Sequence, residues 1–389
     1  MDGTPRPVFP DYGGACLSAL VPGLLSAVAG GRPDPAVGPP PEWLPTPIRH
    51  ARQIVLLVID GLGWEQLRAR PAIAPTLTGA AGIDRPITSV VPTTTASALT
   101  SITTGRPPAH HGLLGYRLAA ENDEIMNVLR WTVGTDQSRD ARQLVHAQEY
   151  QPYPPFPGSS HPVPVVSRDE FAGTGFTAAH LGASPIHGYK VASSLLVEVH
   201  RLVAAGEPFV YAYYDGIDKI AHERGLGEHY EAELRNVDRM VADLAGDLPS
   251  GAVAVVTADH GQIDVGPNVE LLGADIMAGV HFLSGEGRFR WLHARPGAAE
   301  DLLAATSERY GRSTWVMTRT QLIDEGWFGG PLRPGVVSRL GDVALLPREP
   351  IAFLDPADTG ESRLMARHGS VTADEMHVPL LALSPDGNI

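Results

Sequence analysis

Cysteine and lysine are almost absent from this chain. Its 389 residues include one cysteine, Cys16, and two lysines. A single cysteine cannot form an intrachain disulfide, nor can it build a thiolate zinc cage, which requires several cysteines. This usage is typical of a reducing compartment. We therefore predict a cytoplasmic location and prefer it to secretion.

Long apolar runs and an excess of positive charge are also missing. No stretch reaches the ~20 apolar residues that a membrane-spanning helix needs. Residues 15–29 are moderately apolar, but Pro22 interrupts them and acidic residues precede them. We expect a short packed helix there and not a signal peptide. The formal net charge of −14 argues against a surface for duplex nucleic acid, although it leaves small phosphate-containing ligands open.

Five short apolar runs predict buried strands, each ending where a polar residue follows. They cover residues 54–59, 209–214, 252–257, 343–346 and 378–383. Continuous apolar runs of this length indicate parallel strands covered on both faces. Apolar residues at helical spacing over 195–203 and 234–244 predict helices between the strands. The alternation indicates an α/β fold with a doubly wound, mainly parallel sheet.

Two regions interrupt this alternation. Residues 148–165 are rich in proline and should hold neither a helix nor a central strand. Between about 268 and 360, a second pattern predicts strands at 289–293 and near 314–318, with a helix from about Ala298. We therefore predict an N-terminal extension, 1–50, packed on the core, a core of 51–267 and 361–389, and a smaller inserted α+β cap of 268–360.

Polar residues follow the first three predicted strands. Asp60 ends the first strand, Asp215 and Asp218 follow the second, and Asp259 and His260 end the third. In open α/β sheets, ligands bind beyond the carboxyl ends of the strands. These side chains should therefore meet at one edge of the sheet and form a site.

The spacing of these residues is suited to metal binding. Asp218 and His222 are four residues apart, so a helix would place both on one face, although a solvated turn is the alternative. Asp259 and His260 end a buried strand and precede a glycine, which favours metal binding over packing. Two histidines, His368 and His377, precede the final predicted strand. His368 is the better candidate for a metal ligand, because a lone histidine on the approach to a strand, such as His377, is usually structural.

Three threonines precede a predicted helix in the segment VVPTTTASALT, residues 90–100. A hydroxyl at a helix N-terminus can be a cap. It can also be a nucleophile if a nearby cation lowers its pKa. Asp60, followed by glycine, can likewise be only a strand-ending turn. The residues alone leave both alternatives open.

Taken in order, five motifs resemble the alkaline phosphatase superfamily, and most closely its type I phosphodiesterase/nucleotide pyrophosphatase branch. The motifs are IDG at 59–61, PTTT at 92–95, DGIDKIAH at 215–222, ADHG at 258–261 and RHG at 367–369. The resemblance implies an alkaline phosphatase-like fold. It also implies that Thr95 is the nucleophile, because the family uses the second threonine of a proline-threonine-any-threonine run.

The same resemblance implies seven ligands for two divalent ions: Asp218, His222 and His368 for one, and Asp60, Thr95, Asp259 and His260 for the other. Oxygen and imidazole ligands without thiolates suit zinc, and manganese or iron is compatible. The implied activity is metal-dependent hydrolysis of phosphodiester or pyrophosphate bonds in small nucleotide-like substrates. It would proceed through a covalent phosphothreonine on Thr95.

One position departs from the family pattern. Tyr116 stands where nucleotide pyrophosphatases have an asparagine that helps to hold a phosphate oxygen. A phenol can also donate a hydrogen bond, so we predict that Tyr116 binds substrate, with a packed aromatic side chain as the alternative. Two other functions remain open, namely a phosphomonoesterase or phosphonate hydrolase with the same two ions, and a non-catalytic member that binds nucleotide or a partner.

Overall fold

A computed structural model describes residues 6–28, 39–134, 139–358 and 360–385. Within these ranges there are six sheets, and the two with the longest strands organise the fold. Their strands are β1 (Gln53–Ile59), β2 (Val165–Arg168), β3 (Ile186–Tyr189), β4 (Phe209–Tyr214), β5 (Ala252–Thr257), β6 (Val280–Glu286), β7 (Phe289–Ala294), β8 (Thr314–Thr318), β9 (Val343–Pro347) and β10 (Leu380–Leu383). The longer helices are α1 (Leu17–Val28), α2 (Thr95–Thr104), α3 (Gly175–Leu181), α4 (Ala192–Ala204), α5 (Gly216–Arg224), α6 (Glu228–Gly246) and α7 (Ala299–Tyr310).

The larger sheet has six strands in the order β10-β5-β1-β4-β2-β3. Strands β1 to β5 are parallel, and β10 runs antiparallel to β5 at one edge. Every residue of β4 and β5 is buried. Because alternate residues of a strand point to opposite faces, both faces of the sheet centre are covered. The expectation of a mainly parallel α/β sheet is confirmed.

Two of the five predicted parallel strands pair differently. β9 lies in the second sheet, antiparallel to β7 and β8, and β10 is antiparallel to β5. Burial on both faces produces a continuous apolar run whatever the direction of the strand, so the runs could not show direction. β2 and β3 are additional strands: each has four residues, and β3 is a largely uncovered edge strand.

The second sheet has four antiparallel strands in the order β6-β7-β9-β8, with α7 packed against it. Phe289 and Trp291 of β7 join the core of the large sheet, whereas Leu292 joins a separate apolar cluster under α7. The strands and helix expected in this region are therefore present. The division of the chain at residues 268 and 360 stays a prediction.

The N-terminal helix α1 packs against α2, the helix that begins at Thr95. A short packed helix was expected there, and α1 tolerates Pro22 within its length. The apolar stripes of α4 and α6 face the core as predicted, and Leu234 and Leu244 are fully buried. The proline-rich segment holds one helical turn, Ala147–Tyr150, ahead of its prolines. Across the described ranges, no helix is long and apolar enough to cross a membrane.

Candidate active site

Three neighbouring strands deliver acidic residues to one edge of the large sheet. β1 lies between β4 and β5, so the carboxyl ends of all three strands are adjacent. Asp60 follows β1, Asp259 follows β5, and Asp218 lies in the first turn of α5, directly after β4. The convergence expected from the sequence is therefore present.

Thr95 lies at the start of α2, next to these carboxylates. Its Oγ1 lies 3.3 Å from His260 Nε2, and the residue is 9% exposed. The N-cap residue of α2 is Thr94, and its side chain makes no capping hydrogen bond. The Thr95 hydroxyl therefore faces the acidic cluster at the positive end of the helix dipole.

Asp60, Asp259 and His260 form a first candidate metal group. Each offers a ligand atom, and these atoms lie within 4.8 Å of one another. His260 Nε2 is 3.3 Å from Asp60 Oδ1 and 3.5 Å from Asp259 Oδ2. Within the described residues, both of these carboxylate oxygens are buried without a hydrogen-bond partner. Buried anionic oxygens without donors fit a cation.

A second candidate group surrounds Asp218. The ligand atoms of Asp218, His260 and His368 lie within 4.8 Å of one another. His222 Nε2 is 3.3 Å from Asp218 Oδ1, and His368 Nε2 is 3.9 Å from the same oxygen. His260 thus lies between the two groups, with its ring stacked on His368 at a centroid separation of 3.6 Å. The division of ligands between the two ions stays a prediction.

The three histidines are oriented by main-chain carbonyls. His222 Nδ1 is 2.7 Å from Ala366 O, and His368 Nδ1 is 2.8 Å from Thr93 O. His260 Nδ1 is 3.0 Å from the carbonyl of Gly261. A carbonyl can only accept, so each Nδ1 carries a hydrogen, and a ring in its neutral form would present the Nε2 lone pair to the cluster.

The three carboxylates are oriented by hydrogen-bond donors. Tyr213 donates its hydroxyl hydrogen to Asp60 Oδ2, which leaves Oδ1 facing the cluster. The main-chain N–H groups of Gly61 and His260 donate to Asp259 Oδ1 at 3.1 and 3.0 Å, which leaves Oδ2 facing the cluster. Gln262 Nε2 donates to Asp218 Oδ1 at 2.7 Å. These contacts fix the ligand atoms before any ion binds.

Burial and like charges dominate the electrostatics of the cluster. Burial, and then the charges of Asp259 and Asp218, raise the pKa of Asp60 well above its usual value. Burial likewise raises the pKa of Asp259. The pKa of His368 is lowered well below its usual value by burial and then by His260 and His222. Divalent cations would favour ionised carboxylates and neutral imidazoles, so the residues fit two such ions.

An aromatic pocket of about 250 Å³ opens beside Thr95 and Asp60. Its lining includes Leu99, Phe171, Phe176, His180, Tyr211 and Tyr213. Tyr211 Oη is buried with no hydrogen-bond partner in the described part of the chain. His180 Nδ1 donates to Phe176 O at 2.7 Å, and burial lowers the pKa of His180 to about 4. The lining therefore includes a phenol that can donate and an imidazole nitrogen that can accept, together with the charged side chains of Asp215, Asp218 and Lys219.

A second, acidic pocket of about 350 Å³ lies on the His222 and His368 side of Thr95. Its lining includes Thr94, Thr95, Tyr116, Arg130, Glu286, Asp358, Glu361 and Arg367. Asn127 Nδ2 donates to the Tyr116 hydroxyl at 3.0 Å, so the hydrogen of that phenol can point to another group. Burial raises the pKa of Tyr116 to about 12, which keeps the phenol neutral. The role of Tyr116 in binding substrate stays a prediction.

The structure thus brings together Asp60, Thr95, Asp218, His222, Asp259, His260 and His368. His377 lies apart, with its Nδ1 2.9 Å from Glu65 Oε1. Sequence reasoning missed Tyr213, Gln262 and Glu286. The first two lie just outside the motifs, five residues before Asp218 and two after His260, and could have been suspected as supporting residues. Glu286 carries no comparable signal.

The fold is shared with proteins of known structure. Murine ectonucleotide pyrophosphatase/phosphodiesterase 5 matches with a TM-score of 0.63 and 14% identity, over 86% of this chain and 88% of that chain. Phosphonoacetate hydrolase from Sinorhizobium meliloti 1021 matches with a TM-score of 0.59 and 17% identity, over 86% and 90%. These likenesses show that the chain has an alkaline phosphatase-like fold.

The chain belongs to the type I phosphodiesterase/nucleotide pyrophosphatase family, whose model matches residues 54–371. This range includes all seven residues of the cluster. No curated protein sequence matches the chain significantly. The family supports a phosphoric ester hydrolase in general, and the two ligand groups support dependence on metal ions.

Proposed function

We propose that this protein is a metal-dependent hydrolase that cleaves phosphodiester or pyrophosphate bonds in nucleotide-like substrates, with Thr95 as the nucleophile. The observation that carries this proposal is the position of the Thr95 hydroxyl. It lies 3.3 Å from His260 Nε2, beside two buried carboxylate oxygens without hydrogen-bond partners in the described ranges. A hydroxyl used only for helix capping would bond to a main-chain N–H of its own helix.

The seven residues would hold two divalent ions, which we propose to be zinc, with manganese or iron as alternatives. Such a pair supplies positive charge for the attacking and leaving oxygens of a displacement at phosphorus. Thr95 Oγ1 gives up its hydrogen to solvent and attacks the phosphorus atom, and the departing ester or phosphate group leaves with the bonding electron pair. The covalent phosphothreonine is then hydrolysed by water. The N-terminus of α2 favours the negative phosphoryl group.

The two pockets support a diester substrate. The aromatic pocket has the volume and the side chains to hold an aromatic ring. Tyr211 and His180 can form hydrogen bonds with the polar edge of a heterocycle such as a nucleobase. The acidic pocket offers space for a second ester group on the other side of Thr95.

A phosphonate hydrolase or phosphomonoesterase is the second candidate. It is favoured by the match to phosphonoacetate hydrolase, whose structure holds phosphonoformate, and by Arg130 in the acidic pocket. An inactive variant of the murine neighbour, by contrast, has a structure in complex with AMP. Parallel assays with an aryl monoester, an aryl diester and phosphonoacetate separate the two candidates.

We also propose that the second sheet acts as a cap on the site, because its strand β6 ends at Glu286 on the wall of the acidic pocket. The cytoplasmic location remains part of the proposal. It agrees with the lone cysteine, which is buried.

The test is hydrolysis of bis(p-nitrophenyl) phosphate by the metal-loaded protein and by Thr95→Ala. We expect the substitution to reduce kcat at least about 1,000-fold, as loss of a nucleophile does in other hydrolases. Thr95→Ser keeps a hydroxyl and should retain measurable activity. Metal content is measured in each variant. Wild-type rates in Thr95→Ala with two equivalents of metal would refute the mechanism.

A further inference from the structure

Glu286 brings a carboxyl group from the second sheet to the wall of the acidic pocket. It is the last residue of β6 and lines the pocket together with Thr94 and Thr95. It packs closely against the loop after His368, because a Cβ atom on Gly369 would lie 3.0 Å from Glu286 Cγ. The carboxyl group is therefore placed by two elements distant in sequence.

The neighbouring buried acids have arginine partners. Arg288 Nε lies 2.7 Å from Glu375 Oε1, and Arg290 Nη2 lies 2.5 Å from Glu361 Oε2. Glu286 is only 9% exposed, yet in the described part of the chain its Oε1 has no hydrogen-bond partner. Glu286 is thus a nine-tenths buried residue that lines a pocket and has one unsatisfied carboxyl oxygen.

An unsatisfied buried oxygen is unfavourable, and such groups usually bond to a ligand, an ion or water. Burial raises the pKa of Glu286 to about 8, partly opposed by the Thr94 hydroxyl, so the group can accept a hydrogen bond in either protonation state. A hydroxyl or amino group would satisfy it, because each carries a hydrogen to donate. A phosphate or carboxylate oxygen would meet repulsion once Glu286 is ionised.

We propose that Glu286 is a specificity-determining residue that accepts a hydrogen bond from a hydroxyl or ammonium group on one ester group of the substrate. This inference rests on the proposed function and narrows it. The substrate is an asymmetric diester, with an aromatic group in the aromatic pocket and a donor-bearing alcohol group in the acidic pocket.

The kinetic test uses three p-nitrophenyl phosphodiesters whose second ester group is ethyl, 2,3-dihydroxypropyl or 2-aminoethyl. For the metal-loaded wild type, we expect kcat/KM for at least one donor-bearing ester to exceed that for the ethyl ester about fivefold or more. Glu286→Leu should abolish this preference, measured as the ratio of kcat/KM for the donor-bearing ester to kcat/KM for the ethyl ester. The proposal is overturned if wild type shows no preference, or if the preference survives in Glu286→Leu.

Glu286→Gln distinguishes the two kinds of donor and guards against misfolding, because it preserves the shape and one acceptor oxygen of the side chain. It should keep a preference for the dihydroxypropyl ester, since an amide oxygen still accepts from a hydroxyl. It should lose a preference for the aminoethyl ester, which depends on negative charge. The matched control is Glu300→Gln, an exposed glutamate on α7 that should change neither preference.

Binding separates failure of this inference from failure of the proposed function. Titration calorimetry of metal-loaded Thr95→Ala would compare the Kd of glycerol 1-phosphate and 2-aminoethyl phosphate with that of ethyl phosphate. At least one of the first two should bind about fivefold tighter, and adding Glu286→Leu should remove the difference. If wild type cleaves no diester, the proposed function fails. If affinities are equal for all three ligands, the role of Glu286 fails whatever the turnover.

Discussion

Replacing Tyr213 with phenylalanine should weaken metal binding without disturbing the fold. The Tyr213 hydroxyl donates to Asp60 Oδ2, and this contact leaves Asp60 Oδ1 turned toward His260. Tyr213 is 7% exposed, so water could replace the lost donor only poorly. The aromatic ring, which packs in the core, is retained by the substitution.

The expected loss of metal affinity follows from the free energy of this hydrogen bond. A hydrogen bond to a charged group contributes about 1.5–3 kcal/mol, and loss of a residue that supports a metal ligand commonly lowers affinity about 10- to 100-fold. The hydroxyl also lowers the pKa of Asp60, so without it more of this carboxyl is protonated at a given pH. Because the metal competes with that proton, the loss in affinity should be larger at pH 6 than at pH 8.

Competition with a chromogenic chelator measures zinc affinity and stoichiometry in the wild type and in Tyr213→Phe. Tyr211→Phe is the matched control, since Tyr211 lies two residues earlier on the same strand and its hydroxyl has no partner in the described ranges. We expect unchanged affinity in this control. Equal zinc affinities in both variants would refute the assignment of Tyr213 as a residue that orients Asp60.

Three further outcomes can be checked. His368→Gln should lower bound metal by about one equivalent in elemental analysis, whereas His377→Gln should leave it unchanged. Burial lowers the pKa of His111 to about 3, so the folded state binds fewer protons than the unfolded chain below pH 6.5, and stability falls as the pH is lowered from 6.5 toward 3. His111→Gln should reduce this slope by up to about 1.4 kcal/mol per pH unit in urea titrations. Arg288→Leu leaves its buried glutamate unpaired and should destabilise the protein by about 3–5 kcal/mol, against at most ~1 for the exposed Arg309→Leu.

The cluster could be predicted in outline because its residues follow buried strands. Asp60 and Asp259 come directly after continuous apolar runs, and adjacent parallel strands end at one edge of the sheet. The order of the motifs then pointed to Thr95. His260 illustrates the limit of this reasoning, since it lies between both ligand groups and spacing along the chain cannot show such sharing.

The direction of the strands and the contacts between residues distant in sequence could not be predicted. The apolar runs of β9 and β10 indicated burial, but the pairing of a strand depends on which edge it reaches. Glu286 reaches the pocket because β6 and β7 form a hairpin whose end meets the loop at Gly369. This contact is between residues more than 80 positions apart, and no local sequence pattern indicates it.

The main-chain acceptors behind His222, His260 and His368 have a consequence for mutational tolerance. Every amino acid carries a carbonyl, so a point mutation at Ala366, for example, removes no acceptor unless it shifts the backbone. Random substitution should therefore damage the metal site through Tyr213 or Gln262 much more often than through the groups that orient the imidazoles. Among variants that fold, a saturation library scored for zinc binding would show intolerance at Tyr213 and Gln262 and greater tolerance at Ala366 and Thr93. Gly261 is the exception, because a Cβ atom there would clash with the carbonyl of Asp374.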